Sequence, residues 1–344
     1  MGSAMQRGRG GRAVSMADVA AAAGVSQQTV SRVANGLPNV NEKTRARVQA
    51  AMAELGFRPN YAGRSLRGGR YRSVGICAYD ITQFGNLSML DGIMSAARER
   101  GYAITLIEMS KTEPFSLAEA SRRMAELPVD GMIIGMSRLA PDFEEFTPQA
   151  GMSTVIVTMY AHPRCTTVDS DHYGCSRLVM EHLFAHGHEQ IRFVGGPGFS
   201  IDSAFREAGW RDALLERGIE PYEPLQGDWS ANSGYEAGRR LARDVAATAV
   251  YVANDQMALG VIAALRDAGL RVPEDVSVVG VDDSLETTVP HIDLTTVRFD
   301  LRERGRIVFD RAVPLDDDGA AARPVSAIRI PGRLVERATV ADRR

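Results

Sequence analysis

Residues 15–66 read SMADVAAAAGVSQQTVSRVANGLPNVNEKTRARVQAAMAELGFRPNYAGRSL, and their punctuation marks out three short helices. Ser15 caps the first, with Asp18 in the third position to complete a capping box, and Met16, Val19, Ala20 and Ala23 fall on one face. Gly24 stops that helix. A turn centred on Gly24-Val25 follows, and Ser26 caps a second helix, Gln27 to Ala34, whose Val30 and Val33 point inward. Gln27, Gln28 and Arg32 are left on the outer face, and amides and guanidiniums are the side chains that bond adenine and guanine edges in a major groove. Asn41 caps a third helix, in which Thr44, Val48, Met52 and Leu55 recur at helical spacing until Gly56 closes it. The pattern predicts a helix-turn-helix unit with one small core.

Charge follows the same division. Residues 1–72 hold twelve Lys or Arg against three Asp or Glu, whereas the remainder holds 28 against 40, so the overall net charge of −3 conceals a basic head on an acidic body. Such a split is the footprint of phosphate-backbone binding confined to one region. Beyond residue 72, strand-like apolar runs alternate with helical patterns: SVGICAY then LDGIMSAARERG, AITLIEM then LAEASRRMAEL, QIRFVGG then AFREAGWRDALLERG, AVYVAND then MALGVIAALRDAG. This alternation predicts parallel sheets flanked by helices, with ligands at the carboxyl ends of the strands. Those ends carry Tyr79-Asp80, Gly195-Gly196-Pro197, Asn254-Asp255 and Asp282-Asp283.

The head motifs DVA (18–20), AGVSQQTVSRV (23–33), EKTRARV (42–48) and GFRPNYAGRSL (56–66) resemble those of the lactose-repressor/galactose-repressor (LacI/GalR) family of bacterial transcription regulators. The resemblance continues through HLFAHGHEQIRFVGGP (182–197), FREAGW (205–210), GDWSANSGYEAG (227–238), YVANDQMALGVIAAL (251–265) and VPEDVSVVGVDDS (272–284). It implies an N-terminal all-α helix-turn-helix DNA-binding head with a hinge helix, joined to a two-lobed α/β periplasmic-binding-protein type I fold. The expected organisation is a flexible basic arm (1–14), a helix-turn-helix domain (15–58), a hinge helix and linker (59–72), and an effector-binding and dimerisation domain (73–344). Within the last, the N-lobe takes about 73–168 and 299–326 and the C-lobe about 169–298 and 327–340.

Carried onto this sequence, the resemblance implies DNA contacts by Ser26, Gln27, Gln28, Thr29, Ser31, Arg32 and Asn35 in the head. In the hinge it implies contacts by Asn60, Arg64 and Leu66, the Leu acting as a minor-groove wedge that bends DNA. Gly63 stands where Ala is more usual, which raises the cost of hinge-helix formation. Asn254 and Asp282 match residues that hydrogen-bond sugar hydroxyls, Trp229 matches an aromatic that packs on the sugar face, and Arg206 matches an effector-contacting Arg. Two departures mark the pocket: ITQFGNLSM (81–89) replaces a common Asn-Pro-Phe-Phe, and Thr158 stands where an Asp is frequent. Tyr79, Asp80 and Phe84 are candidate replacements. The expected ligand is a neutral hexoside, with a purine as the alternative.

Other function classes fit poorly. Gly195-Gly196-Pro197-Gly198 follows a strand but completes no G-x-G-x-x-G, and there is no G-x-S-x-G elbow, Walker lysine or catalytic Cys signature, so no enzyme is expected. His162-x2-Cys165 and His172-x2-Cys175 have zinc-like spacing, but the second pair begins a helix at the lobe crossover, and neither a metal nor another cofactor is expected. His186-Gly187-His188 sits at a helix end, where imidazole complements the dipole. A secreted sugar-binding protein would share the body but has no use for a helix-turn-helix. Three cysteines and no run of 18 apolar residues suit a cytoplasmic protein with no membrane segment. Tetrameric relatives carry a leucine-heptad helix after the effector domain, whereas LVERATVADRR has no such repeat after Val340. The expected partners are therefore double-stranded operator DNA, a sugar effector and a second copy of the chain. The dimer contact is expected near Leu90 to Ala97.

Overall fold

The computed structural model describes residues 14–34, 37–57, 70–78, 81–109, 116–244, 246–286, 290–291, 293–313 and 324–343. The chain divides into two compact units, residues 1–71 and 72–344.

In the first unit, helix α1 (Met16–Ala23) starts on the capping box read from the sequence: Ser15 Oγ accepts from the Asp18 N–H at 3.3 Å, and Asp18 accepts from the Ser15 N–H at 2.8 Å. Gly24 ends it at φ 61°, a left-handed position that costs glycine nothing. Helix α2 (Gln27–Ala34) begins where Ser26 Oγ accepts from the Thr29 N–H at 3.2 Å. Asn41 caps α3 (Glu42–Leu55), accepting from the Thr44 N–H at 2.8 Å, and Gly56 closes it at φ 63°. Val19, Ala20, Ala23, Val30, Val33, Val48 and Ala51 form the core, with Met16, Met52, Leu55 and Phe57 partly buried around it. The small residues let three short helices approach closely enough to share that core.

The second unit holds two parallel sheets. The N-lobe sheet has the order β11-β5-β4-β3-β1-β2, built from β1 (Ser73–Ala78), β2 (Ala103–Glu108), β3 (Gly131–Gly135), β4 (Ser153–Val157), β5 (Thr166–Ser170) and β11 (Ala327–Ile330). Helices α4 (Phe84–Glu99), α5 (Leu117–Ala125) and α10 (Leu301–Ala312) pack on it. The C-lobe sheet has the order β7-β6-β8-β9, from β6 (Ile191–Gly195), β7 (Leu225–Gln226), β8 (Ala249–Val252) and β9 (Ser277–Val279). Its helices are α6 (His172–Ala185), α7 (Ile201–Leu215), α8 (Ala231–Leu241) and α9 (Asp255–Asp267). An antiparallel pair, β10 (Thr296–Arg298) and β12 (Arg333–Val335), accompanies the crossovers. Inner strands β3, β4, β6 and β8 are buried nearly throughout, as strands covered on both faces must be. Trp210, Phe193 and Tyr251 fill the C-lobe core.

The lobe boundaries differ from the expected ones at two points. Thr166–Ser170 is a strand of the N-lobe sheet, so the first crossover falls at Asp171, which caps α6. Residues 327–330 also belong to the N-lobe: Ala327 to Ile330 pairs in register with Thr167 to Ser170, and the chain returns to the C-lobe only afterwards. The physical reason is Pro331-Gly332, which breaks one apolar run into two strands of different sheets.

Candidate effector pocket and DNA-binding surface

Between the lobes of the second unit lies a pocket of about 560 Å³. Its C-lobe wall is assembled from the carboxyl ends of β6, β8 and β9. Arg206, on α7, is 4% exposed; one Nη2 donates to His172 Nδ1 at 3.2 Å and lies 3.5 Å from Asp282 Oδ1, while Nη1 donates to the Ala253 carbonyl. Its guanidinium carbon is 5.8 Å from the centre of the Trp229 ring. Trp229 and Asp282 both have positive φ, 74° and 104°. Non-glycine residues rarely adopt such backbone, and it persists where surrounding bonds over-determine it. Asn254 supplies one such bond, donating from Nδ2 to the Trp229 carbonyl at 3.0 Å, and the Asp282 N–H donates to the Val297 carbonyl at 2.8 Å. Gly196 makes room for the indole, because a Cβ there would lie 2.3 Å from the Trp229 ring.

Arg206, Trp229, Asn254 and Asp282 thus converge on one pocket, as the sequence indicated. Phe84, in the first turn of α4, lines it from the N-lobe. Asn254 is more committed than expected: Oδ1 accepts from the Met257 N–H at 2.9 Å to cap α9, so the amide offers a ligand one remaining N–H and one lone pair. Its larger contribution is to hold Trp229. Thr158 does not line the pocket; its Oγ1 accepts from the Tyr160 N–H. Tyr79 and Asp80 lie outside the described residues.

Asp169, His172, Asp202 and Arg304, none of which the sequence places at the pocket, also line it. Asp169, at the end of β5, pairs at 2.8 Å with Arg304 of α10, and both side chains are about 95% buried. Burial acts to raise Asp169, but His172 and Arg304 beside it outweigh this and hold the carboxyl below its usual range. His172 Nε2 lies 3.4 Å from Asp202 Oδ1 and 3.7 Å from Asp169 Oδ1. A guanidinium only donates, so His172 Nδ1 is an acceptor and Nε2 carries the proton. Asp169 was reachable from the strand-end rule applied to VDSDH; Arg304 had no local signal.

The second carboxylate pair of the C-lobe separates into two roles. Asp282 faces the pocket, and burial pushes its carboxyl up against the pull of Arg206. Asp283 is locked behind it by Arg298 and, at 2.8 Å, by Arg337. Beneath both, Asp255 accepts from the Thr296 hydroxyl at 2.7 Å and the Ser284 N–H at 2.8 Å; burial and the charge of Asp282 raise it to about 7.

The zinc-like pairs are otherwise engaged. His162 Nε2 bonds to the Phe143 carbonyl and Nδ1 accepts from the Cys165 N–H, while burial pushes the Cys165 and Cys175 thiols up to about 12.

On the first unit, Ser26, Gln27, Gln28 and Arg32 are exposed along the outer side of α2, and Thr29 is half-buried with its hydroxyl 3.0 Å from that of Ser26. Ser31, on the same helix, is buried at 6% exposure. Asn35 and the hinge candidates Asn60, Gly63, Arg64 and Leu66 lie outside the described residues.

The family described as bacterial regulatory proteins, lacI family, matches residues 15–60, and a periplasmic binding protein-like domain matches 180–340. The chain is 34% identical over 324 residues to the lactose operon repressor of Escherichia coli (strain K12), covering 92% of this chain and 89% of that one. Its structure matches the lac repressor bound to ONPG in the repressed state with a TM-score of 0.84 at 33% identity, over 95% of this chain and 100% of that one. It matches the lac repressor dimer bound to operator and the anti-inducer ONPF with a TM-score of 0.80 at 31% identity, over 96% and 100%. Because the relationship holds at 34% identity over 92% of the chain, the chain belongs to the lacI family of bacterial regulatory proteins, transcription regulators rather than enzymes.

Proposed function

We propose that the protein is a dimeric transcriptional repressor whose operator affinity falls when a neutral hexoside occupies the pocket. The observation that carries this reading is the polar lining of the wall. Arg206 lies against Asp282 and Arg304 against Asp169, with Asp202 as a further carboxylate, so the site is rich in donors and acceptors and offers no excess of cations to an anionic ligand. Adjacent hydroxyls of a pyranose suit the Asp282 carboxylate, the Arg206 guanidinium and the His172 Nε2–H, and its C–H face suits the Trp229 indole. A purine would need aromatic rings on both faces, and among the described ring contacts none pairs Trp229 with Phe84 or Phe299, the two phenyl rings that line the pocket.

Ser26, Gln27, Gln28 and Arg32 are the candidate base and backbone contacts, each head reading one half of a near-palindromic operator. The dimer contact we assign to the exposed apolar residues of α4 and the edge strand β2, of which Leu87 and Leu106 also border the pocket. Leu87 and Met94, seven residues apart on one helix face, are 56% and 47% exposed, and Leu106 of β2 is 41% exposed. Ile93, Ala96 and Ala97, within the stretch expected to form the contact, are buried in the lobe's own core instead. The reading implies a cytoplasmic protein, in keeping with three free, buried cysteines.

Thermal unfolding with methyl β-D-galactopyranoside, cellobiose and guanine as ligands tests the ligand class. A ligand at a hundred times its Kd adds about 2.7 kcal/mol of stability. Stabilisation by a hexoside supports the proposal, and stabilisation by guanine alone overturns it.

A further inference from the structure

We propose that His182, His186 and Glu336 form a binding site for one divalent transition-metal ion, of the zinc or cobalt kind, on the C-lobe away from the effector pocket. One ligand atom from each residue lies within 4.8 Å of the other two. His182 stands in the last turn of α6 and His186 is its C-cap, four residues on, so both imidazoles project from one face with ring centres 4.4 Å apart. Glu336 follows β12 directly and brings an exposed carboxylate to that face.

Two further observations point to an ion. His182 is 9% exposed, and its Nε2 is buried with no hydrogen-bond partner. A buried nitrogen left in that state calls for a missing partner. His186 Nδ1, moreover, is 2.9 Å from the His182 carbonyl; that bond fixes the proton on Nδ1 and leaves the Nε2 lone pair facing the cluster. A carbonyl partner of this kind orients metal-binding histidines generally. The site also sits at the negative end of a helix. The nearby Arg343 does not compete for Glu336, because its guanidinium donates to the carbonyls of Glu274 and Asp275.

Two histidines and a carboxylate with one open position is a familiar zinc ligand set, and tetrahedral ligands at about 2.0–2.2 Å from an ion stand about 3.4 Å apart, so the group would draw together around it from within its present 4.8 Å. The same reasoning excludes the other close group, Asp169, His172 and Asp202. There Arg206 makes Nδ1 of His172 the acceptor, so Nε2 is protonated, and Arg304 already occupies Asp169. An ion at the first group would tie the segment after β12 to the end of α6.

Titration calorimetry of the full, chelator-stripped chain with zinc chloride and with cobalt chloride tests this. One ion per chain is expected, with cobalt giving the visible spectrum of a nitrogen and oxygen ligand set. His186→Gln and Glu336→Gln, at half-buried and exposed positions, should each melt like the wild type without metal and weaken binding by more than the roughly 10- to 100-fold that loss of an outer partner costs. Equal affinity of the wild type and the double variant, a cobalt–thiolate absorption band, or loss of binding on Asp202→Asn instead would each overturn the assignment.

Discussion

Arg206 and Asp282 approach to 3.5 Å across the pocket wall, close enough for charge attraction and too far for a tight bond. The guanidinium spends Nη1 on the Ala253 carbonyl and shares Nη2 with His172, while its Nε is buried without a partner. The Asp282 carboxyl therefore keeps lone pairs for a ligand. A ligand hydroxyl that joins both groups gains a charge-assisted bond without breaking one.

Arg32→Ala is expected to cost about 1–3 kcal/mol on operator DNA and little on random duplex, because the side chain is exposed on α2 where a guanidinium reads guanine. Anisotropy titrations on a duplex enriched from a random pool, against an unselected duplex, measure both. Equal losses on the two would remove Arg32 from base reading. Ser31→Ala, at a buried position, should alter stability rather than sequence preference.

Asp255 makes stability fall with rising pH. Its carboxyl is raised from 3.8 to about 7 in the folded protein. The stability tied to its neutral form is complete below 3.8 and is lost as pH climbs through 7. Asp255→Asn should therefore gain on the wild type between pH 5 and 8, by about 1–3 kcal/mol at the upper end. Thermal midpoints measured across that range would contradict the account if the two proteins ran parallel.

Assembly should depend on the exposed apolar residues of α4. Replacing Leu87 and Met94 together by Glu places two charges on an apolar face, and sedimentation velocity should show the dimer giving way to monomer at micromolar concentration. A variant that sediments like the wild type would move the interface elsewhere.

The head was legible almost entirely from sequence because its signals are local: Ser15 with Asp18, Asn41 with Thr44, and glycines at 24 and 56 all act within one helical turn. The burial of Ser31 was not legible, because helical spacing alone does not tell how far a hydroxyl at the flank of the core is covered. In the body, Arg206, Trp229, Asn254 and Asp282 were named through the resemblance of their motifs to those of the family, Asn254 and Asp282 at strand ends as well. The Asp169–Arg304 pair was not, since its members are 135 residues apart and meet only when β5 and α10 pack together. His172 was visible but read for its spacing to Cys175, whereas its proton and its role are set by Arg206. The break at Pro331-Gly332 was local, but that residues 327–330 pair with β5 while 333–335 pair with β10 is a property of the assembled fold.

Operator affinity measured with and without saturating hexoside, in wild type and in Asp282→Asn side by side, bears on the whole account at once. The wild type should lose operator affinity by about 5- to 150-fold when the sugar is added, a coupling of about 1–3 kcal/mol. Asp282→Asn should bind the operator as tightly as the wild type and ignore the sugar at that concentration, having lost charge-assisted bonds of about 1.5–3 kcal/mol each. An undiminished response in Asp282→Asn, with the same sugar affinity, would place the controlling ligand outside this pocket.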